Sequence, residues 1–343
     1  MAKATATVDT DWTYRGFQAV VLENEALRAV VLPGLGAKLW QLTHKPTGTD
    51  LLWQHPRIKP RPVAFGASYD DHFFGGWDEL FPNDVPETLG GEAMPDHGEL
   101  WTLPWEFETR QGDGEAEVVL RAETPVSACR MEKRILLRSG EAKLRFTHRL
   151  TNLGARPLPF LWKLHAAMRV NADSRLDVAA GRVYIEDFGP PRTGETKKSY
   201  DWPFAIGADG EAHDMRRCLP PSAGVNEFQY ATELTAGWCA LTDTSTGIGM
   251  GLAFDAEVFR SCWFFATYGG WRQLQTIVLE PCTGYPISVN DGVEAGTHRT
   301  IGAGETIATE VVATVYTGLQ AVETIDRDGN ASGHHIGKRE ERA

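Results

Sequence analysis

Three ionisable residues far apart in the chain sit in unusually apolar or aromatic company. Glu280 ends a continuous apolar run in TIVLEPCTGYP, residues 276–286. A carboxylate at such a place either faces water at a sheet rim or lies in a cleft with a raised pKa, where it suits general-base work near neutral pH. His165 lies in PFLWKLHAAM, residues 159–168, with Lys163 two positions earlier. Side chains two apart on a strand point the same way, so Lys163 and His165 share a face while Leu164 and Ala166 turn to the core. Burying both is costly unless both serve a site, the alternative being an edge strand that shows the pair to solvent. His97 precedes Gly98 in FFGGWDELFPNDVPETLGGEAMPDHGELW, residues 73–101. That segment is too rich in Gly and Pro for a strand or helix and too aromatic for a solvent loop; long ordered loops of this kind are usually functional. Trp77, Phe81 and Trp101 offer flat faces on which the C–H face of a ring could stack, unless the loop merely packs and His97 caps a turn. One carboxylate and two imidazoles are a set for general acid–base chemistry. They are also the donor types of a two-His, one-carboxylate metal site, but no HxH or HxxxE pattern brings two ligands together locally, so we expect no metal.

The elements that must position these groups read as strands. Short β-rich runs recur at 17–22, 27–32, 38–42, 116–122, 134–137, 143–150, 238–242, 249–254, 262–268, 275–280 and 310–316. Helical spacing of apolar residues is hard to find over ten or more residues. With 35 Gly and 19 Pro as punctuation, the pattern predicts an all-β fold, a large antiparallel sandwich with few short helices. We expect one domain over residues 1–325 and a polar, loose tail over 326–343, whose His334-His335 pair has no function of its own.

The chain has 343 residues and a formal net charge of −12, which argues against nucleic-acid partners and anionic membrane surfaces. Five scattered cysteines without a CxxC fit reduced thiols in the cytoplasm. No apolar leader region opens the sequence and no run of about 18 apolar residues occurs, so neither secretion nor a membrane span is expected.

Together the segments resemble the aldose 1-epimerase (galactose mutarotase-like) superfamily over about residues 15–320. The pieces that carry the likeness are GGWDELFPN leading to PDHG with His97, LWKLH with His165, and LEPCT with Glu280; the later IGAGET resembles a glycine-containing turn near the end of such domains. The resemblance implies a twisted β-sandwich with an open cleft on one sheet and a sugar mutarotase that needs no cofactor. It implies Glu280 as general base, His165 as general acid and His97 as a partner that polarises the ring oxygen. We expect Lys163, Trp77, Asp78 and Trp101 to contact the sugar, in a monomer or homodimer. Lys163 gives a carboxylate- or sulfonate-bearing sugar a place beside plain hexoses. The chain departs from the superfamily in places. Ala166, Ala167 and Met168 follow His165 where galactose mutarotases carry an aromatic pair and an Asn. Glu99, Leu100 and Trp101 follow Gly98 where hexose-6-phosphate mutarotases carry an Arg. The Arg ahead of the first His has no counterpart, and the basic run 57–61 reads as a solvated loop. A silent sugar-binding module or sensor on the same fold would keep the aromatic faces without needing Glu280 and His165 together.

Overall fold

A computed structural model describes residues 5–194 and 198–336. Among the described residues, twelve strands form one sheet and eight a second. The larger runs in the order Thr7–Tyr14, Phe17–Glu23, Leu27–Leu32, Lys38–His44, Trp77–Leu80, Lys163–Met168, Gln275–Cys282, Ser261–Tyr268, Val225–Thr232, Arg182–Glu186, Ser199–Asp201, with Thr49–Asp50 beside Lys38–His44. The smaller runs Ser174–Val178, Trp238–Asp243, Ile248–Phe254, Thr306–Tyr316, Lys143–Asn152, Cys129–Arg138, Glu115–Glu123, Glu106–Gly112. Every pairing within the two sheets is antiparallel. The fold is an all-β sandwich with a single α-helix, Val289–Ala295, among the described residues. No described helix is long and apolar enough to cross a membrane.

The two sheets bury their strands differently, and the sequence shows why. In Lys143–Asn152, Leu144, Phe146, His148 and Leu150 are buried while Lys143, Arg145, Thr147 and Arg149 are not. One face of that strand meets the core and the other meets water. In Lys163–Met168 all six residues are buried. Its core face carries Leu164, Ala166 and Met168, which join the main hydrophobic cluster between the sheets. Its other face is roofed by the loops that follow Lys38–His44 and Trp77–Leu80, where Trp53, Tyr69, Phe73, Leu80 and Trp101 form a second cluster with Ala167. A roofed sheet face is where a polar group can be held away from bulk water.

Each run read as a strand is one, although the run at 134–137 is only the end of Cys129–Arg138; the segment 73–101, expected to hold no strand, carries the central strand Trp77–Leu80 and the short pair Glu87–Leu89 and Glu92–Met94 between its Gly and Pro turns. The expectation of a loose tail from Asp326 is overturned where the chain is described. Ala331–His335 pairs antiparallel with Leu319–Ile325. Leu319, Val322 and Ile325 pack on Trp238 and Ala253 of the smaller sheet, and Asp326 closes the turn by accepting from the Asn330 amide and side chain at 2.8 Å. Three buried apolar residues and a turn with its own cap outweigh the polar composition that suggested a free end. The rest of that tail, from 337 on, lies outside the described residues. All five cysteines are free and buried.

Candidate active site

The register of three neighbouring strands lines up the site. Asp78 lies opposite His165. Lys163 lies opposite Cys282 and Ala166 opposite Leu279, which sets His165 opposite Glu280, and Glu280 in turn faces Trp263. Residues paired across antiparallel strands point to the same face. Asp78, His165, Glu280 and Trp263 therefore form one rank across the roofed face, with Lys163 one step along.

The fourth element is the loop that brings His97. Its backbone N–H donates to the Asp84 carbonyl at 2.6 Å, and the next amides donate to Pro95 and Phe81. His97 sits at φ +57°, in the left-handed region, and Gly98 follows at φ +72°. A Cβ on Gly98 would come within 2.1 Å of the Phe81 carbonyl oxygen, so only glycine lets the loop close on the strand end here. The imidazole is then fixed on three sides. It stacks on Tyr69 at 4.3 Å between ring centroids, Nδ1 meets Asp96 Oδ1 at 2.8 Å, and Nε2 lies 3.8 Å from Asp84 Oδ1.

These groups line one cavity of about 210 Å³. His97, Lys163, His165 and Glu280, singled out from sequence, all lie on its wall, together with Asp70, Asp84, Asp96 and a set of rings from Tyr69, Phe73, Phe228, Phe265 and Trp271. The other three residues expected to contact the sugar do not line it. Trp77 faces the opposite way, into the core between the sheets, 4.7 Å from the Phe146 ring. Trp101 is a buttress: its indole N–H donates to the Asp96 carbonyl at 3.2 Å and its ring stands edge-on to Tyr69. Asp78 lies behind Tyr69 and His165, paired with Lys38. The aromatic faces turned to the cavity were missed because they come singly from distant turns and strands. Asp84 and Asp96 carried a usable signal, since they lie in the same loop as His97 and one precedes it directly.

Lys163 is spoken for. Its ammonium bonds Asp84 Oδ2, sits 2.7 Å from Glu280 Oε2 and lies 4.7 Å from the Trp263 ring centroid. Burial alone would lower its pKa, but the two carboxylates outweigh burial and raise it. Glu280 shifts up as well, because burial dominates and Asp84 adds repulsion, while the one ammonium it shares with Asp84 offsets only part. The two halves of the pair differ because one cation serves two anions. Neither Glu280 oxygen has a hydrogen bond of good geometry. The two imidazoles differ in the same way. Burial would lower His97, but Asp84 and the bond to Asp96 outweigh it and hold its pKa above the usual value. His165 is pushed well below the usual value by burial, and by the charges of Lys163, His97 and Lys38. Of the two imidazoles, His97 is therefore the one biased toward its charged form and His165 the one biased toward its neutral form. Among the described residues no cluster of His, Cys, Asp and Glu has the arrangement of a metal site.

Solved structures share this fold. A candidate aldose 1-epimerase from Klebsiella pneumoniae subsp. pneumoniae superposes with a TM-score of 0.72 at 13% identity, over 90% of this chain and 83% of its own. A galactose mutarotase-like protein from Clostridium acetobutylicum gives 0.66 at 14% identity, over 91% and 99%. A protein from Synechocystis sp. PCC 6803, Slr1438, gives 0.65 at 18% identity, over 90% and 99%. At such identities the likeness shows the fold, that of galactose mutarotase-like proteins. One sequence profile, described as a domain of unknown function, DUF5107, matches residues 6–210, and the chain belongs to that family.

Proposed function

We propose that this protein is a sugar mutarotase, an aldose 1-epimerase acting on an uncharged hexose. One observation carries the reading: a buried, under-paired carboxylate and an imidazole held between two carboxylates that favour its charged form share the wall of one small cavity lined with aromatic rings. Mutarotation asks for no more. Glu280 takes the proton from the anomeric hydroxyl while His97 gives its proton to the ring oxygen. The C1–O5 bond breaks, the anomeric oxygen becomes the aldehyde carbonyl, and the ring oxygen leaves as a hydroxyl. Rotation about C1–C2 turns the other face to that hydroxyl, and reclosure runs the transfers in reverse, restoring both residues. Each transfer contributes about 10²–10⁴-fold.

The electrostatics support exchanging the roles that the superfamily likeness implies for the two imidazoles. They also remove the reason for an anionic sugar. The Lys163 ammonium is already met by two carboxylates, and Asp70, Asp84, Asp96 and Glu280 make the wall acidic, so a carboxylate or sulfonate entering it would meet net repulsion. The flat faces of Trp271 and Phe265 suit the C–H face of a pyranose. Polarimetry on freshly dissolved α-anomers tests the reading. The enzyme should speed the optical change for neutral hexoses and leave sugar acids and phosphates near the spontaneous rate. Binding without acceleration would instead make the chain a sugar-binding module.

A further inference from the structure

Behind the cavity lies a buried chain that the proposed chemistry does not use directly. Lys38 Nζ donates to the Gly75 carbonyl at 3.0 Å and to Asp78 Oδ2. The Tyr69 hydroxyl donates to the same Asp78 oxygen at 2.7 Å, and Tyr69 Oη lies 3.1 Å from His165 Nδ1. Lys38, Tyr69, Asp78 and His165 are all buried, at 3%, 3%, 1% and 5% exposure, so water does not compete for these bonds. The backbone makes room for it. Gly75 adopts φ +89°, and a Cβ there would come within 2.2 Å of the Trp53 carbonyl oxygen, so the carbonyl that receives Lys38 is presented by a turn only glycine can make.

The protons in this chain can be counted. A phenol has one hydroxyl proton, and Tyr69 gives it to the Asp78 carboxylate oxygen that also pairs with Lys38. Toward His165 the phenol oxygen can then only accept, so Nδ1 must carry the imidazole proton. A neutral imidazole has one N–H, which leaves Nε2 as a bare lone pair. Nε2 makes no hydrogen bond to another described residue, and His165 lines the cavity. Phe73 and Tyr69 pack against the ring at near-perpendicular angles, 5.7 and 5.2 Å between centroids.

We propose that Lys38, Asp78 and Tyr69 are positioning residues that lock His165 as its Nδ1–H tautomer, so that it meets the sugar through Nε2 as a hydrogen-bond acceptor. His165 then accepts a hydrogen bond from a substrate hydroxyl and has no proton at Nε2 to give the ring oxygen, which leaves that step to His97. The function of the lock rests on the mutarotase reading; its existence does not.

Long-range ¹⁵N–¹H correlation spectra of the labelled, sugar-free protein read the tautomer, with His165→Asn identifying the signal. The wild type should show His165 protonated at Nδ1. A wild-type signal protonated at Nε2 overturns the proposal, whatever the activity. Tyr69→Phe keeps the ring and its stacking but removes the acceptor, so the proton should move to Nε2. The same variant should lower kcat about 10- to 100-fold while KM changes less than about twofold, as is common when a partner that orients an imidazole is lost. A shift in tautomer with no mutarotase activity in either protein would leave the lock standing and sink the functional reading. An unchanged tautomer in folded Tyr69→Phe would sink the lock alone.

Discussion

Glu79 and Glu280 are both wholly buried, yet their acidities shift in opposite directions. Glu79 faces the core between the sheets. His148 Nε2 lies 3.1 Å from one oxygen and Lys133 Nζ 3.5 Å, and the Trp162 indole donates to the other at 3.0 Å. Burial alone would raise its pKa, but His148, Lys133 and these hydrogen bonds outweigh burial and lower it. Glu280 has a shared ammonium and no well-formed hydrogen bond, so burial wins. Depth therefore does not set the direction of the shift; the number of donors aimed at the carboxylate does. An anion with its partners complete is inert. An anion left short of partners is poised to take a proton.

The sharpest break of this comparison is a pair of like substitutions. Glu280→Gln should cost at least about 10²-fold in kcat with melting temperature little changed. Glu79→Gln should instead cost stability, about 3–5 kcal/mol, because it strands the Lys133 charge in the core. Denaturant unfolding and polarimetry on both variants check this, and near-normal turnover in Glu280→Gln would end the assignment of the base. Next, His97→Asn should lower kcat by about 10²-fold as the proton donor is lost. The wild-type pH profile should be bell-shaped. Glu280 must be ionised and its pKa is raised, so the acid limb lies above the ordinary glutamate value of about 4.3. His97 must be protonated and its pKa is raised, so the alkaline limb lies above about 6.5. The limbs belong to the coupled pair, and a flat kcat/KM from pH 5 to 9 would contradict the scheme. Lys163→Met should move the acid limb to higher pH, since it removes the charge that holds Glu280 down in part; an unmoved limb would mean that the ion pair does not tune the base. The smallest effect belongs to Trp271→Ala, a loss of one stacking face, with KM rising about 2- to 10-fold and kcat nearly constant.

Much of this was legible because strands have period two. Lys163 and His165 were placed on one face by spacing alone, and Leu164 and Ala166 opposite them. The same rule could not say which face of Trp77–Leu80 meets the core. Trp77 and Glu79 go inward between the sheets, and Asp78 and Leu80 go toward the roof. Aromatic richness marked the 73–101 segment as ordered, yet its Gly and Pro content hid the strand Trp77–Leu80, and Trp101 supports the loop rather than lining the cavity. Lys163 looked like an anion contact because a buried ammonium needs partners. The partners are Asp84 and Glu280, one in an earlier loop and one on a strand separated from Lys163–Met168 by nine others in sequence, and no local pattern reveals such long-range matches. The tail shows the converse: its polar turn reads as freedom, although the strand before it carries the residues that anchor the hairpin.

The rank across Trp77–Leu80, Lys163–Met168 and Gln275–Cys282 joins the first quarter of the chain, its middle and its last quarter. Adjacent strands so distant in sequence must close very large loops before any contact rewards them. The site is therefore a late product of folding, absent from any intermediate in which the last of these strands has not docked. In refolding from denaturant, catalysis should return after the far-ultraviolet signal of the strands, and the interval between the two would time the closing of the central sheet.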